Sequence, residues 1–175
     1  MWCQLSRNFW GIAQTGEFAI HSDNQAIQAV QAAVSKPKTS GFALIECEFP
    51  ALAALNKLGD GSLQSAQQVD AANLAFGAKL ARALSPPLIG PQATLLTSAS
   101  ATRQFVRSAN KAYSRVHELS AGVPDISGKS QIFVLVAPSG RDYAVAKQMT
   151  EAGATVVLVN GFFKVRGWFF CSLLC

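Results

Sequence analysis

The turn at residues 138–142, Pro-Ser-Gly-Arg-Asp, has residue types that could bind an anion. It follows an apolar, β-branched run at 132–136 and precedes a segment with helical spacing, so it links a predicted strand to a helix N-terminus. Backbone N–H groups there attract anions, and Arg141 adds a positive charge. The candidate ligand-binding residues are Ser139, Gly140, Arg141 and Asn160. The alternative is a plain helix cap, in which Asp142 serves the helix N-terminus and Arg141 faces solvent.

A second feature is a row of basic residues at every fourth position in a helix predicted over 101–118. At about 100° per residue they share one third of its circumference, and apolar residues fill the opposite side. No acid occurs between Ala71 and His117, so the net charge of +5 is concentrated near this helix. We expect a docking face for RNA, anionic lipid or an acidic protein; the alternative is the solvent face of a covering helix. Its members are Arg103, Arg107, Lys111 and Arg115.

Other signals for chemistry are weaker. Glu46 and Glu48 point to the same side of a predicted strand, which suits acid–base work, a metal ion, or simply a solvated edge. The string Ser-Gly-Lys-Ser at 127–130 lacks the glycine spacing of a phosphate loop and precedes a strand. With two histidines and no CxxC spacing, we predict no metal site, no catalytic set and no cofactor. The basic row has no interleaved aromatics, so sequence-specific nucleic-acid binding is not expected.

The stretch 131–160 is the strongest structural signal in the chain. Two β-branched runs, Ile132 to Val136 and Thr155 to Val159, flank a helical segment that starts at a capping-box-like Ser139 and ends at Gly153. Two such runs joined by a helix of about three turns predict a βαβ crossover, which requires a parallel sheet.

The remaining elements extend this unit. Helical spacing predicts helices at 23–35 and about 63–84, and apolar runs predict strands at 42–47 and 93–97. Four strands that alternate with helices indicate a three-layer, mostly parallel α/β fold. Helices should cover both faces of the sheet, in a Rossmann-like arrangement that lacks the dinucleotide-binding fingerprint.

The chain divides into three parts. Residues 1–21 are unassigned or form a degenerate targeting segment, and residues 22–164 form a single α/β domain that we expect to continue beyond Lys164. Residues 165–175 have no period, and a Lys-Val-Arg run can be encoded by a splice-donor sequence, so we expect a translated intron there. The alternative is a genuine apolar tail that packs on the domain. No segment is long and apolar enough to span a membrane.

Three segments resemble a known family. The strings ECEFP, DAANLAFGAKLARAL and VLVAPSGRDYAVAKQMTEAGATVVLVNGFFK resemble a domain of unknown function from plants, algae and cyanobacteria. That family includes the low-photosystem-II-accumulation proteins of chloroplasts, and the domain behind one chloroplast adenylate kinase is similar. The resemblance covers about 23–164 and is strongest over 133–164. It implies a chloroplast protein, in the stroma or at the thylakoid, with a role near photosystem assembly, and it implies no catalytic residues.

Two functions are therefore predicted. The first is a non-enzymatic auxiliary or assembly factor that presents its basic face to an acidic protein or the thylakoid membrane surface. The second is a phosphate- or nucleotide-binding α/β enzyme that uses the 138–142 turn and Asn160 at the edge of the sheet. The lack of a nucleophile, base or metal constellation favours the first.

Overall fold

The computed structural model describes seven segments of the chain, which are residues 2–5, 16–19, 22–35, 43–47, 63–85, 92–126 and 131–161. The strands are β1 (Trp2–Leu5), β2 (Gly16–Ala19), β3 (Ala43–Cys47), β4 (Thr94–Thr97), β5 (Val116–Glu118), β6 (Ile132–Val136) and β7 (Thr155–Val159). The helices are α1 (Asp23–Ser35), α2 (Leu63–Ala83), α3 (Arg103–Ala112) and α4 (Gly140–Glu151). A single 3-10 turn, Leu119–Ala121, follows β5.

Five of these strands form one parallel sheet in the order β3-β7-β6-β4-β5. This confirms the predicted parallel α/β fold and adds a fifth strand, β5, at one edge. β6 occupies the centre, where Val134 pairs with Leu95 of β4 and with Val157 of β7. β1 and β2 form a separate antiparallel pair within residues 1–21, where the sequence predicts no element.

Helices cover both faces of the sheet, as predicted. Side chains of α1, α2 and α3 pack on one face, where they bury Val134, Val136 and Val157. α4 packs on the other face, against Phe133 and Leu135 of the same strand. Because both faces of β6 are covered, its side chains from Phe133 to Val136 are almost entirely buried, which explains its continuous apolar run.

The approach of α2 to the sheet depends on a glycine. A Cβ atom added at Gly77 would lie 2.4 Å from Cγ2 of Val136 and 3.5 Å from Cδ1 of Leu95. Only a residue without a side chain allows the helix backbone to lie this close to β6 and β4.

The predicted helix over 101–118 is too long. α3 ends at Ala112, and Tyr113 adopts an extended conformation with φ −145°. The hydroxyl of Tyr113 donates to the carbonyl oxygen of Ala93 at 2.9 Å, and Val116 then pairs with Leu95 as part of β5. Contacts with β4 therefore outweigh the helical periodicity of residues 113–118.

Several predictions fall outside the described residues. These are the Ser-Gly-Lys-Ser string at 127–130, Glu48 and the segment 165–175. Among the helices that the structure describes, none combines the length and the apolar character needed to cross a membrane.

Candidate functional site

The carboxyl edge of the sheet contains a point where neighbouring strands send the chain in opposite directions. From β4 the chain passes through α3 to β5 on one side, and from the adjacent β6 it passes through α4 to β7 on the other. The two helices lie on opposite faces of the sheet. In open parallel sheets a crevice at such a switch point is the usual place for a ligand. The loops that follow β4 and β6 therefore form the first candidate site.

A buried carboxylate joins these two loops. Asp142, which is 1% exposed, accepts hydrogen bonds on Oδ2 from Ser98 Oγ at 2.5 Å and from Ser139 Oγ at 2.7 Å. The backbone N–H of Ser139 also donates to Oδ2 at 2.6 Å, and that of Ala99 donates to Oδ1 at 3.1 Å. Asp142 thus completes the capping box of α4 and also ties the loop after β4 to the loop after β6.

The hydrogen bonds set the charge state of this carboxylate. Burial raises the pKa of Asp142, but the hydrogen bonds from Ser98, Ser139 and Ala99 together lower it by more than burial raises it. The pKa of Asp142 therefore lies below its usual range. The carboxylate is therefore ionised at neutral pH. It places a negative charge at the N-terminus of α4, where a bound anion would otherwise lie.

The four predicted ligand-binding residues do not form one cluster of accessible donors. Ser139 is half-buried and its hydroxyl is bonded to Asp142, whereas Gly140 and Arg141 are exposed at the first turn of α4. Asn160 lies at the end of the neighbouring strand β7 but is 2% exposed, with φ +51°. Its amide donates to Oδ1 of Asn73 on α2 at 2.8 Å, so its side chain is engaged with the opposite layer of the fold.

The basic row forms the second candidate site. Arg103, Arg107 and Lys111 are all exposed on α3, while Phe105 and Ala109 of the same helix are buried in the core. Positions four residues apart differ by about 40° around a helix, so these three side chains share one outward face about 12 Å long. Arg115 is exposed too, but it lies in the turn between α3 and β5 and not on the helix.

No acid neutralises this surface within the part of the chain that the structure describes. The ion pair found there joins Lys79 Nζ to Asp23 Oδ2 at 3.7 Å, and it connects α2 with α1. None of the basic residues of the row forms an ion pair with a described carboxylate. The surface composed of Arg103, Arg107, Lys111 and Arg115 is called the basic face below.

The family comparison identifies the chain at the level of the domain. A family model described as "Domain of unknown function (DUF1995)" matches residues 21–168. The chain belongs to the DUF1995 family. No curated protein and no solved structure matches the chain. The resemblance to a family of unknown function is confirmed in this form, while the chloroplast setting stays a prediction.

The described residues of this DUF1995 protein do not bring three His, Cys, Asp or Glu side chains together in a metal-binding arrangement. Glu46 is half-buried on the edge strand β3, and its charge, after burial, is the second cause that raises the pKa of Tyr143 on α4. Glu46 therefore lies near the first turn of α4.

Sequence reasoning missed the serine loop after β4. Ser98 contacts both Asp142 and Ser100, with 2.9 Å between the two serine hydroxyl oxygens. The sequence contains a signal for it, since Ser98-Ala99-Ser100 directly follows a predicted strand. These serines predict a contact with the loop after β6 only when β4 is known to lie beside β6. The sequence also missed Arg82, which contacts Tyr113 near the C-terminus of α3.

Proposed function

We propose that this DUF1995 protein is a non-enzymatic auxiliary factor that docks through its basic face onto an acidic protein surface. The observation that carries the proposal is the exposure of Arg103, Arg107 and Lys111 on one side of α3, where no described carboxylate forms an ion pair with them. Such a surface raises the rate of encounter with an acidic partner and orients it.

An acidic protein fits the basic face better than a bilayer does. A helix that inserts into a membrane interface needs an apolar face free to enter it. The apolar residues of α3, Phe105 and Ala109, are instead buried against the sheet. The exposed positions of the helix are arginine, lysine and neutral polar residues, which suit carboxylates on a folded protein.

The family resemblance supplies the proposed setting, which is the chloroplast stroma or thylakoid surface near the assembly of photosystem II. Antibodies against the domain should detect it in the stromal or thylakoid fraction of isolated chloroplasts. Detection of the protein only in fractions outside plastids would contradict this part of the proposal.

Docking is tested with two double variants that remove the same charge from opposite faces of the sheet. Arg103→Gln/Arg107→Gln changes the basic face, and Arg141→Gln/Lys147→Gln changes exposed positions of α4. Each exposed ion pair contributes up to about 1 kcal/mol, so the α3 variant should bind thylakoid membranes up to about 30-fold more weakly. The α4 variant should bind within about twofold of the unmodified protein.

Co-sedimentation at two salt concentrations provides the measurement. Binding should fall as salt rises to physiological strength, where screening limits the reach of exposed charges to about 8 Å. It should also disappear when the membranes are first shaved with protease, and vesicles containing phosphatidylglycerol should not replace them. Equal loss in both double variants, or full binding to the vesicles, would refute docking onto an acidic protein through this face.

A second candidate function is a phosphate-binding enzyme that uses the switch point. The specific observation in its favour is that Gly140 and Arg141 are exposed beside that point, at the N-terminus of α4. The buried charge of Asp142 opposes an anion there. The variant Arg141→Gln, measured with a phosphate ester as described below, tests this candidate.

A further inference from the structure

A cleft of about 510 Å³ opens near the C-terminal ends of α2 and α3. Its walls include Ser85 after α2, Gln92 before β4 and Ser114 after α3, so it lies at the amino edge of the sheet, opposite the switch point. Pockets for small ligands have volumes of about 300–1,000 Å³. The cleft is therefore large enough for a small metabolite.

Arg82 is held in place on the wall of this cleft. Its guanidinium group donates to the carbonyl oxygen of Ala112, the last residue of α3, and its Cζ atom lies 5.9 Å from the centroid of the Tyr113 ring. Tyr113 is itself fixed, because its hydroxyl donates to the carbonyl oxygen of Ala93 at 2.9 Å. A guanidinium that is already positioned loses less conformational entropy when it binds a ligand.

Among the described residues that line the cleft, the charged side chains are Arg82 and Lys111, and both are positive. Lys111 is exposed in the last turn of α3 and lines the cleft together with Arg82, and no Asp or Glu is among the described residues of the lining. The C-terminus of a helix carries a partial negative charge of about one half, and the contact from Arg82 to Ala112 offsets part of it. Together Arg82 and Lys111 carry two positive charges against about half a negative charge, so the described walls of the cleft attract an anion.

We propose that this cleft binds a small phosphate monoester. Arg82 and Lys111 bind the phosphate group, since a guanidinium fork matches phosphate oxygens and an ammonium adds a point charge. Gln92, Asn110 and Ser114 surround the rest of the ligand. Their amide and hydroxyl groups both donate and accept hydrogen bonds, which suits the hydroxyl groups of a sugar. This site is separate from docking, although Lys111 belongs to both surfaces.

Ribose 5-phosphate is the probe for this site, and ribose alone is its uncharged comparator. Added to the full chain, ribose 5-phosphate should raise Tm, because a ligand that binds only the native state stabilises it. Ribose at the same concentration should leave Tm unchanged. Titration calorimetry with the same two compounds measures Kd directly.

Two substitutions on one helix locate the binding. Lys111→Gln removes a positive charge from the cleft, and Arg103→Gln removes one about 12 Å away at the other end of α3. Lys111→Gln should weaken the binding of ribose 5-phosphate at least about tenfold, and Arg103→Gln less than about twofold. Lys111→Arg, which keeps the charge, should restore most of the affinity.

Other outcomes would overturn the proposal. No effect of ribose 5-phosphate on Tm at about 10 mM, a concentration that detects millimolar Kd values, excludes the site. Equal weakening by Lys111→Gln and Arg103→Gln means that diffuse charge attracts the ester. If Arg141→Gln loses binding of ribose 5-phosphate and Lys111→Gln keeps it, the ester binds at the switch point and not in the cleft. The variant Arg103→Gln/Arg107→Gln separates this inference from docking, because it should lose docking and keep ribose 5-phosphate.

Discussion

Replacement of Asp142 by asparagine tests whether one carboxylate holds the two loops of the switch point together. The substitution keeps the size of the side chain and removes its charge. Three donors, namely the hydroxyls of Ser98 and Ser139 and the N–H of Ser139, meet on Oδ2, which lies 2.5–2.7 Å from them. An asparagine presents one oxygen and one NH₂ group, so it cannot accept at both ends of this network.

The cost follows from the groups left without a partner. A backbone N–H that loses its acceptor in a buried place costs about 1–3 kcal/mol, and loss of a negative charge at a helix N-terminus adds about 0.3–1 kcal/mol. We therefore expect Asp142→Asn to lower the free energy of unfolding by about 2–4 kcal/mol at pH 7. Glu151→Gln, at the exposed end of the same helix, is the matched control and should change it by less than about 0.5 kcal/mol.

Urea unfolding across a range of pH measures both the size and the origin of the effect. The pKa of Asp142 is lower in the folded protein than in the unfolded chain, where it is about 3.9. Its stabilisation is thus complete above the unfolded pKa and is lost as pH falls through the folded pKa. The difference between the unmodified protein and Asp142→Asn should be full at pH 7 and shrink below about pH 4. A difference below about 0.5 kcal/mol at pH 7, or one that stays constant into acid, would refute the role given to this carboxylate.

Two further substitutions test the core. Val134→Asp, in the fully buried centre of β6, should abolish soluble expression, because an unpaired buried charge costs several kcal/mol. The control Val123→Asp, at a 47% exposed position, should be tolerated. A soluble Val134→Asp variant that folds cooperatively would contradict the central place of β6 in the sheet. Gly77→Ala should destabilise by about 1–3 kcal/mol despite the higher helix propensity of alanine, because the new Cβ meets Cγ2 of Val136 at 2.4 Å. In urea unfolding, Val136→Ala should recover part of that loss in the double variant, and strictly additive effects would mean that the two residues do not press on each other.

The β6–α4–β7 unit could be predicted from sequence because its signals are local. Each strand is a β-branched run, and the capping box at Ser139 and Asp142 marks the start of the helix within four residues. Gly153, with φ +97°, ends it. Local preference and tertiary structure agree here, so the predicted and observed bounds nearly coincide.

The end of α3 could not be predicted because distant residues determine it. Residues 113–118 continue the helical pattern of the segment before them, but the hydroxyl of Tyr113 bonds to Ala93, twenty residues earlier. β5 has only three residues and forms by pairing with β4. The prediction therefore placed Arg115 on the helix, whereas it lies in the turn that follows.

The candidate sites depended on strand order, which local patterns do not contain. Ser98 and Asp142 are 44 residues apart, and they meet because β4 lies beside β6. The 138–142 turn and Asn160 follow the neighbouring strands β6 and β7. The side chain of Asn160 nevertheless bonds to Asn73 of α2, which covers the face of the sheet opposite to α4.

The candidate sites differ in how many of their donors are already bonded within the protein. At the switch point the N–H and the hydroxyl of Ser139 are bonded to Asp142, so an anion at these donors would have to compete with a buried, ionised carboxylate. Binding would cost the hydrogen bonds that hold the loops together. Arg103, Arg107 and Lys111 have no described acidic partner, and a carboxylate or phosphate that reaches them breaks no internal ion pair. The hydrogen bonds that a ligand must displace reduce its binding free energy, and this cost favours the exposed side chains of α3 over the edge where parallel sheets usually bind ligands.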